Sequence, residues 1–147
     1  MARVRGSIQI DRPVEEVYSF AVRPENVPLW SAVPLQARKT SEGPVGIGTT
    51  ASFVNTFLGR RVKADFEVIE FEPNVRFCSR TTSAPFPVRN TMTFERVGAG
   101  TRMTQTIEAE SGGFFRVAEP VLHLVGEREL RKSLANLKDL LERGPSP

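Results

Sequence analysis

Between about residues 110 and 114 the chain changes its hydrophobic period, and this switch restricts the available folds more than any other feature. Before it, from about Trp30 to Glu110, apolar residues recur at every second position in short runs separated by turn residues, which is the pattern of strands. After it, from about Phe114 to Glu142, Leu122, Val125, Leu130, Leu134, Leu137, Leu140 and Leu141 recur at helical spacing. One long amphipathic helix therefore follows the strands, with a kink or restart expected at Pro120. An antiparallel sheet has a face to bury, and this helix is the only element long enough to cover it, so the sheet must curl around the helix.

The strand region divides into six. Their inward parities are Val33, Leu35 and Ala37; Ala51, Phe53 and Phe57; Val62, Ala64, Phe66 and Val68; Phe77, Ser79 and Thr81; Val88, Asn90, Met92 and Phe94; and Met103, Gln105, Ile107 and Ala109. The turns "TSEGPVGIG", "LGRR", "FEPNV", "SAPFP" and "GAG" separate them. A seventh strand, "ARVRGSIQI", opens the chain with Val4, Gly6, Ile8 and Ile10 on one side. In "DRPVEEVYSF", Asp11 is a candidate N-cap, Pro13 falls in the first turn, and Val14, Val17, Tyr18 and Ala21 have helical spacing. Pro24 and Pro28 stop that helix and leave room for a short turn or a second small helix before Trp30. The expected fold class is α+β: a curved antiparallel sheet of about seven strands wrapped around a long C-terminal helix, with short helices after the first strand.

Composition excludes several alternatives. At 147 residues, 39% hydrophobic and 25% charged, the chain has the size and balance of one domain, taken as residues 1–143 with a frayed tail over 144–147. No apolar run reaches the roughly 20 residues of a membrane-spanning helix, and "MARVRGSIQI" lacks the apolar core of a signal peptide, so a cytoplasmic location is expected. Cys78 and His123 are the only residues of their types, so neither a disulfide nor a Cys/His zinc cluster can form, and no metal is expected. The net charge of +3 is spread among alternating acids and bases, as in "GERELRKSLANLKDLLERG", and Arg60, Arg61 and Lys63 read as solvated turn charges. No nucleic-acid partner is expected.

Several segments resemble the START-type, or SRPBCC, helix-grip superfamily of polyketide cyclases, dehydrases and lipid carriers. They are "IDRPVEEVYSFAVRPENVPLW", "GPVGIGT", "FLGR", "EVIEFEPNVRF", "PFPVRNTMTFERVGAGTRMT" and "LANLKDLLE", in the family's order and over nearly the whole chain. The resemblance implies a deep, largely apolar cavity between sheet and helix, used by different members for binding, transport, cyclisation or sensing. Fold alone does not choose among these.

The residues themselves suggest how such a cavity would be furnished. Asn55, Asn90 and Gln105 each interrupt an inward apolar parity, and in a dry core each amide costs a few kcal/mol unless bonded. A ligand- or water-filled cavity removes that cost; a backbone partner, a wet rim or a bulge is the alternative. Hairpin length at "GAG" sets Phe94 opposite Met103, Met92 opposite Gln105 and Asn90 opposite Ile107, which makes the two amides diagonal neighbours able to hold one carbonyl or hydroxyl. Phe53, Phe57, Met92, Met103 and Leu130 would supply apolar wall, in a cavity of more than about 300 Å³. Trp30 reads as an apolar plug at the joint between the short helices and the first meander strand, or as a residue of the cavity mouth. The "GPVGIG" loop precedes a strand rather than a helix, so it suits a cavity entrance and not a phosphate cradle.

For catalysis the candidates are His123 and Glu119, one helical turn apart and near the Leu130 stripe, as a general base with its orienting carboxylate. The competing reading makes His123 a wall residue and lets Pro120 turn Glu119 away. Cys78 and Arg80 fall on the outward parity, so a Cys-His nucleophile is not expected. The expected function is binding of a small hydrophobic, lipid-like, aromatic or polyketide-like ligand without cofactor. A cofactor-independent cyclase or dehydratase is the alternative, with no membrane insertion and a homodimer left open.

Overall fold

In the computed structural model, which describes residues 2–32, 34–57, 59–84, 87–110 and 119–143, every alternating segment is a strand. They are β1 (Ala2–Ile10), β2 (Pro34–Lys39), β3 (Thr50–Phe57), β4 (Arg60–Glu72), β5 (Arg76–Ser83), β6 (Val88–Val97) and β7 (Gly100–Ala109). β2 to β7 form a meander and β1 pairs antiparallel with β7, giving the order β1-β7-β6-β5-β4-β3-β2. The β6–β7 hairpin turns on Gly98 at φ 61°, a left-handed conformation in which a β-carbon would be strained.

A bulge shapes β4. Val68 pairs with Ser79, but the register shifts before Glu70, so that Phe71 rather than Glu70 shares the concave face with Phe77. Strict alternation would have aimed Glu70 inward. Instead its carboxylate meets Arg76 Nε at 2.8 Å on the convex side. A second irregularity between Pro34 and Gln36 corrects the reading of the second strand, since Leu35 is half exposed. Val33 lies outside the described residues.

α1 (Val14–Ala21) buries Val14, Val17, Tyr18 and Ala21, as their spacing requires, but its N-cap is Pro13 rather than Asp11. The Asp11 N–H donates instead to Glu142 Oε2 at 2.8 Å. A single 3-10 turn, Pro24–Asn26, then leads into α2 (Val27–Trp30). Both follow the prolines: each sits where a missing N–H and a fixed φ suit a first helical turn.

α3 (Glu119–Glu142) is the long helix; the expected start near Phe114 lies outside the described residues, as does the tail 144–147. Leu130, Leu134, Leu137 and Leu141 are buried, but the stripe is narrower than the sequence suggested, with Val125 51% and Leu140 36% exposed. At 100° per residue Val125 lies about 140° round from Leu130, outside the face that packs on the sheet. Ser133 is buried in its place, accepting from the Ala32 N–H at 2.8 Å and donating to Glu129 O. Asn136 Nδ2 donates to Trp30 O at 3.2 Å. These two bonds dock α2 onto α3.

α3 runs closely along β1, where Gly6 leaves room for it: a β-carbon there would come within 3.1 Å of Leu134 Cδ1 and 3.3 Å of Leu130 Cδ2. Lys138 Nζ donates to Gln9 O, so the helix also covers part of this sheet edge. The core between α1 and the sheet is aromatic, with the Tyr18 ring edge-on to Phe94 at 4.9 Å and to Phe71 at 5.6 Å. Cys78 lies on the convex side, as its parity requires, and is wholly buried there. Its short side chain sits between Thr91 and Glu70 in register, with Sγ 3.4 Å from Thr91 Oγ1. Among the described residues no helix is long and apolar enough to cross a membrane.

Candidate functional site on the concave face

The concave face carries the polar exceptions in ordered rows. Phe94 pairs with Met103, Met92 with Gln105 and Asn90 with Ile107, the register anticipated from the hairpin. That sets Gln105 and Asn90 diagonally on one face, and they are bonded: Gln105 Nε2 donates to Asn90 Oδ1 at 2.9 Å. Gln105 is buried, and its Oε1 has no hydrogen-bond partner among the described residues. Asn90 is half-buried and sits beside Ser79 of β5, itself buried.

On β3, Asn55 faces Val62 and is half-buried, with Oδ1 likewise without a partner. Phe53, opposite Ala64, stacks edge-on against Phe66 at 5.4 Å and 87°. The side chain of Phe57 lies outside the described residues. Met92, Met103 and Leu130 are fully packed within the core. Trp30 is 2% exposed, and its Nε1 is also buried without a partner, as is Oδ1 of Asp65. A buried polar group left unpaired costs about 1–3 kcal/mol, so such atoms together are a substantial penalty.

The helix does not relieve it. Among the described residues, β1 is the strand that comes into repeated close approach with α3, and Leu130 and Leu134 press on Gly6, the β1 neighbour of Gln105. That roof is apolar. Further along the concave face Phe53, Asn55, Phe66 and Asn90 remain partly accessible although they face inward.

His123 Nε2 lies 3.0 Å from Glu127 Oε1, one turn towards the C-terminus, and both side chains are over two-fifths exposed. The Glu119 side chain lies outside the described residues. Glu127 lines a shallow groove of about 280 Å³ between α3 and β1, together with Arg5, Ile8, Leu130, Arg131 and Leu134. A larger groove, about 710 Å³, opens at the end of the sheet between α1, the 40–49 loop and the β4–β5 turn. Tyr18, Val22 and Phe71 form its apolar side, and the glycine-proline loop contributes Pro44 and Val45. Of the predicted wall residues whose side chains are described, Phe53, Met92, Met103 and Leu130, none lines this larger groove. In the sequence Tyr18 was visible only as an apolar-face helix position and Phe71 only as part of the turn "FEPNV", and Ser79 and Phe66 as inward positions with nothing to mark them as ligand-facing. Among the described residues no group of three or more metal-ligating side chains is brought together.

A sheet curled round a C-terminal helix, with short helices after the first strand, is the helix-grip architecture. The chain belongs to the family described as polyketide cyclase / dehydrase and lipid transport, whose model matches residues 1–142. Among solved structures it is similar to the protein TTHA0849 of Thermus thermophilus, with 20% identity, TM-score 0.83, and 98% and 99% of the two chains covered. A START superfamily protein from Mycobacterium smegmatis superposes equally, at 13% identity and TM-score 0.83, over 97% and 99% of the two chains. The di-domain ARO/CYC BexL from the BE-7585A biosynthetic pathway shares 18% identity at TM-score 0.78, covering 99% of this chain and 48% of BexL. No curated protein matches the chain.

Proposed function

We propose that the chain binds a small hydrophobic molecule, lipid-like, aromatic or polyketide-like, between the concave sheet and α3, and that it does so in the cytoplasm. One observation carries the reading: buried Gln105 has an unpartnered carbonyl oxygen and is bonded to accessible Asn90, on a face whose only described helical roof is apolar. A ligand with an apolar body and a polar edge meets both needs. In this reading Phe53, Phe57, Met92, Met103 and Leu130 supply wall, and Asn55, Asn90, Gln105 and the indole N–H of Trp30 orient the polar edge. Membership of a family whose description spans cyclisation and lipid transport supports the ligand class.

Native mass spectrometry of the protein purified from its own host tests this directly. The expected result is a non-covalent adduct whose loss accompanies uptake of the neutral probe N-phenyl-1-naphthylamine, followed by energy transfer from Trp30, the chain's single tryptophan. Absence of both an adduct and probe uptake would overturn the reading.

A further inference from the structure

We infer that the Gln105–Asn90 pair selects ligands presenting a hydrogen-bond donor and an acceptor side by side on a neutral group: a primary amide, an undissociated carboxylic acid or the enol of a 1,3-dicarbonyl. The inference rests on the concave face being the binding site and says which chemistry it prefers there. The argument is one of hydrogen-bond inventory. A primary amide has two N–H donors and one carbonyl acceptor, and when two such amides bond to each other their roles become unequal.

Gln105 spends an N–H on Asn90 Oδ1 and keeps its carbonyl oxygen, which is buried and without a partner among the described residues. Asn90 spends its carbonyl oxygen and keeps its NH2 group. The pair therefore has one free carbonyl oxygen, on Gln105, beside spare N–H donors on both amides, two of them on Asn90. Turning both amides over exchanges the roles and leaves the same complement, one free carbonyl oxygen beside spare N–H donors. The surroundings allow no escape: Gln105 has Met92 and Gly6 as its in-register neighbours, and Leu130 and Leu134 lie over Gly6. A ligand offering only acceptors could take the spare N–H groups but would leave Gln105 Oε1 unpaired, as would one offering nothing. A paired donor and acceptor meets both the free oxygen and the Asn90 N–H groups, and the partial exposure of Asn90 gives the side from which it would come.

Displacement of N-phenyl-1-naphthylamine by three molecules of one skeleton tests this: 2-naphthamide, N,N-dimethyl-2-naphthamide and 2-ethylnaphthalene. For the wild-type protein 2-naphthamide should bind about tenfold more tightly than either of the others, the difference expected for satisfying a buried acceptor. In the double variant Gln105→Met, Asn90→Leu, which keeps side-chain volume, the three should converge within about twofold while the fluorescent probe still binds. Equal displacement by all three in the wild type overturns the inference without recourse to any variant. So does a preference that persists in a folded double variant. Failure of the wild-type protein to take up the fluorescent probe at all removes the cavity reading itself, and the selectivity with it.

Discussion

Gly6 of β1 and Leu134 of α3 are in such close approach that a β-carbon on the glycine would stand 3.1 Å from Leu134 Cδ1. The pair sets how near the helix lies to the sheet edge, because Leu130 presses on the same spot. Gly6→Val should therefore destabilise the fold by about 1–3 kcal/mol, the usual cost of forcing bulk into a filled contact. Leu134→Ala alone should cost about 2–5 kcal/mol as a cavity mutation. Combined, the two should cost clearly less than their sum, since each relieves the other. Urea denaturation of the four proteins measures the coupling, and strict additivity would show that the contact is not what positions α3.

Cys78 gives a second, chemical test of packing. Its thiol is wholly enclosed beside Thr91, though its parity places it on the convex side. A buried structural cysteine is inert because the reagent cannot reach it. In native protein Cys78 should react with a disulfide reagent only as fast as the sheet opens, and at once in denaturant. Rapid stoichiometric labelling of the folded protein would contradict this burial.

The way Cys78 escaped the sequence reading shows where such reading ends. Alternation placed it on the convex side correctly, but exposure depends on the height of the neighbouring side chains, and those become neighbours only once the strands are in register. The same limit applies at Glu70 and Phe71, where one bulge reverses the faces that alternation assigns. Elements and their order were legible because the period of apolar residues is a local property. So was the β6–β7 register, because a two-residue hairpin leaves no freedom to slip. The amide pair was accordingly placed in advance. The bond of His123 to Glu127 was not, because i,i+4 spacing makes such a pair possible without requiring it.

Tyr18 gives the fold an alkaline limit. Burial of the phenol, helped by the negative charge of Glu72, pushes its pKa from 10.0 up to about 12. In the unfolded chain the phenol ionises near its ordinary value, so from there up to about 12 the unfolded state sheds a proton that the folded state keeps. Stability is therefore constant with respect to this group below pH 10 and falls as pH rises through that window, by about 1.4 kcal/mol per pH unit. Tyr18→Phe should lose about 1 kcal/mol at neutral pH with the bond to Arg76 O, and should lack that part of the alkaline fall. Because the chain has one tyrosine, phenolate absorbance reports the group without ambiguity. A native titration centred at the ordinary value would remove the prediction.

His123→Ala separates a binding protein from an enzyme built on the same face. The imidazole and Glu127 lie 3.0 Å apart as an i,i+4 pair with both side chains well exposed, so the substitution should change stability by only about 0.3–0.5 kcal/mol. If the protein is a binder, its affinity for N-phenyl-1-naphthylamine or 2-naphthamide should stay within about twofold, since a solvated imidazole adds little to an apolar contact. If it is a cyclase or dehydratase that moves protons through His123, the variant should hold ligand as before and lose turnover by about 10²–10⁴-fold, the range for removing a general acid or base. Binding and turnover measured on the same preparation, with a linear polyketide-like ketone as substrate, distinguish the two. A tenfold loss of affinity would fit neither and would place the imidazole in direct contact with the ligand, turned away from Glu127.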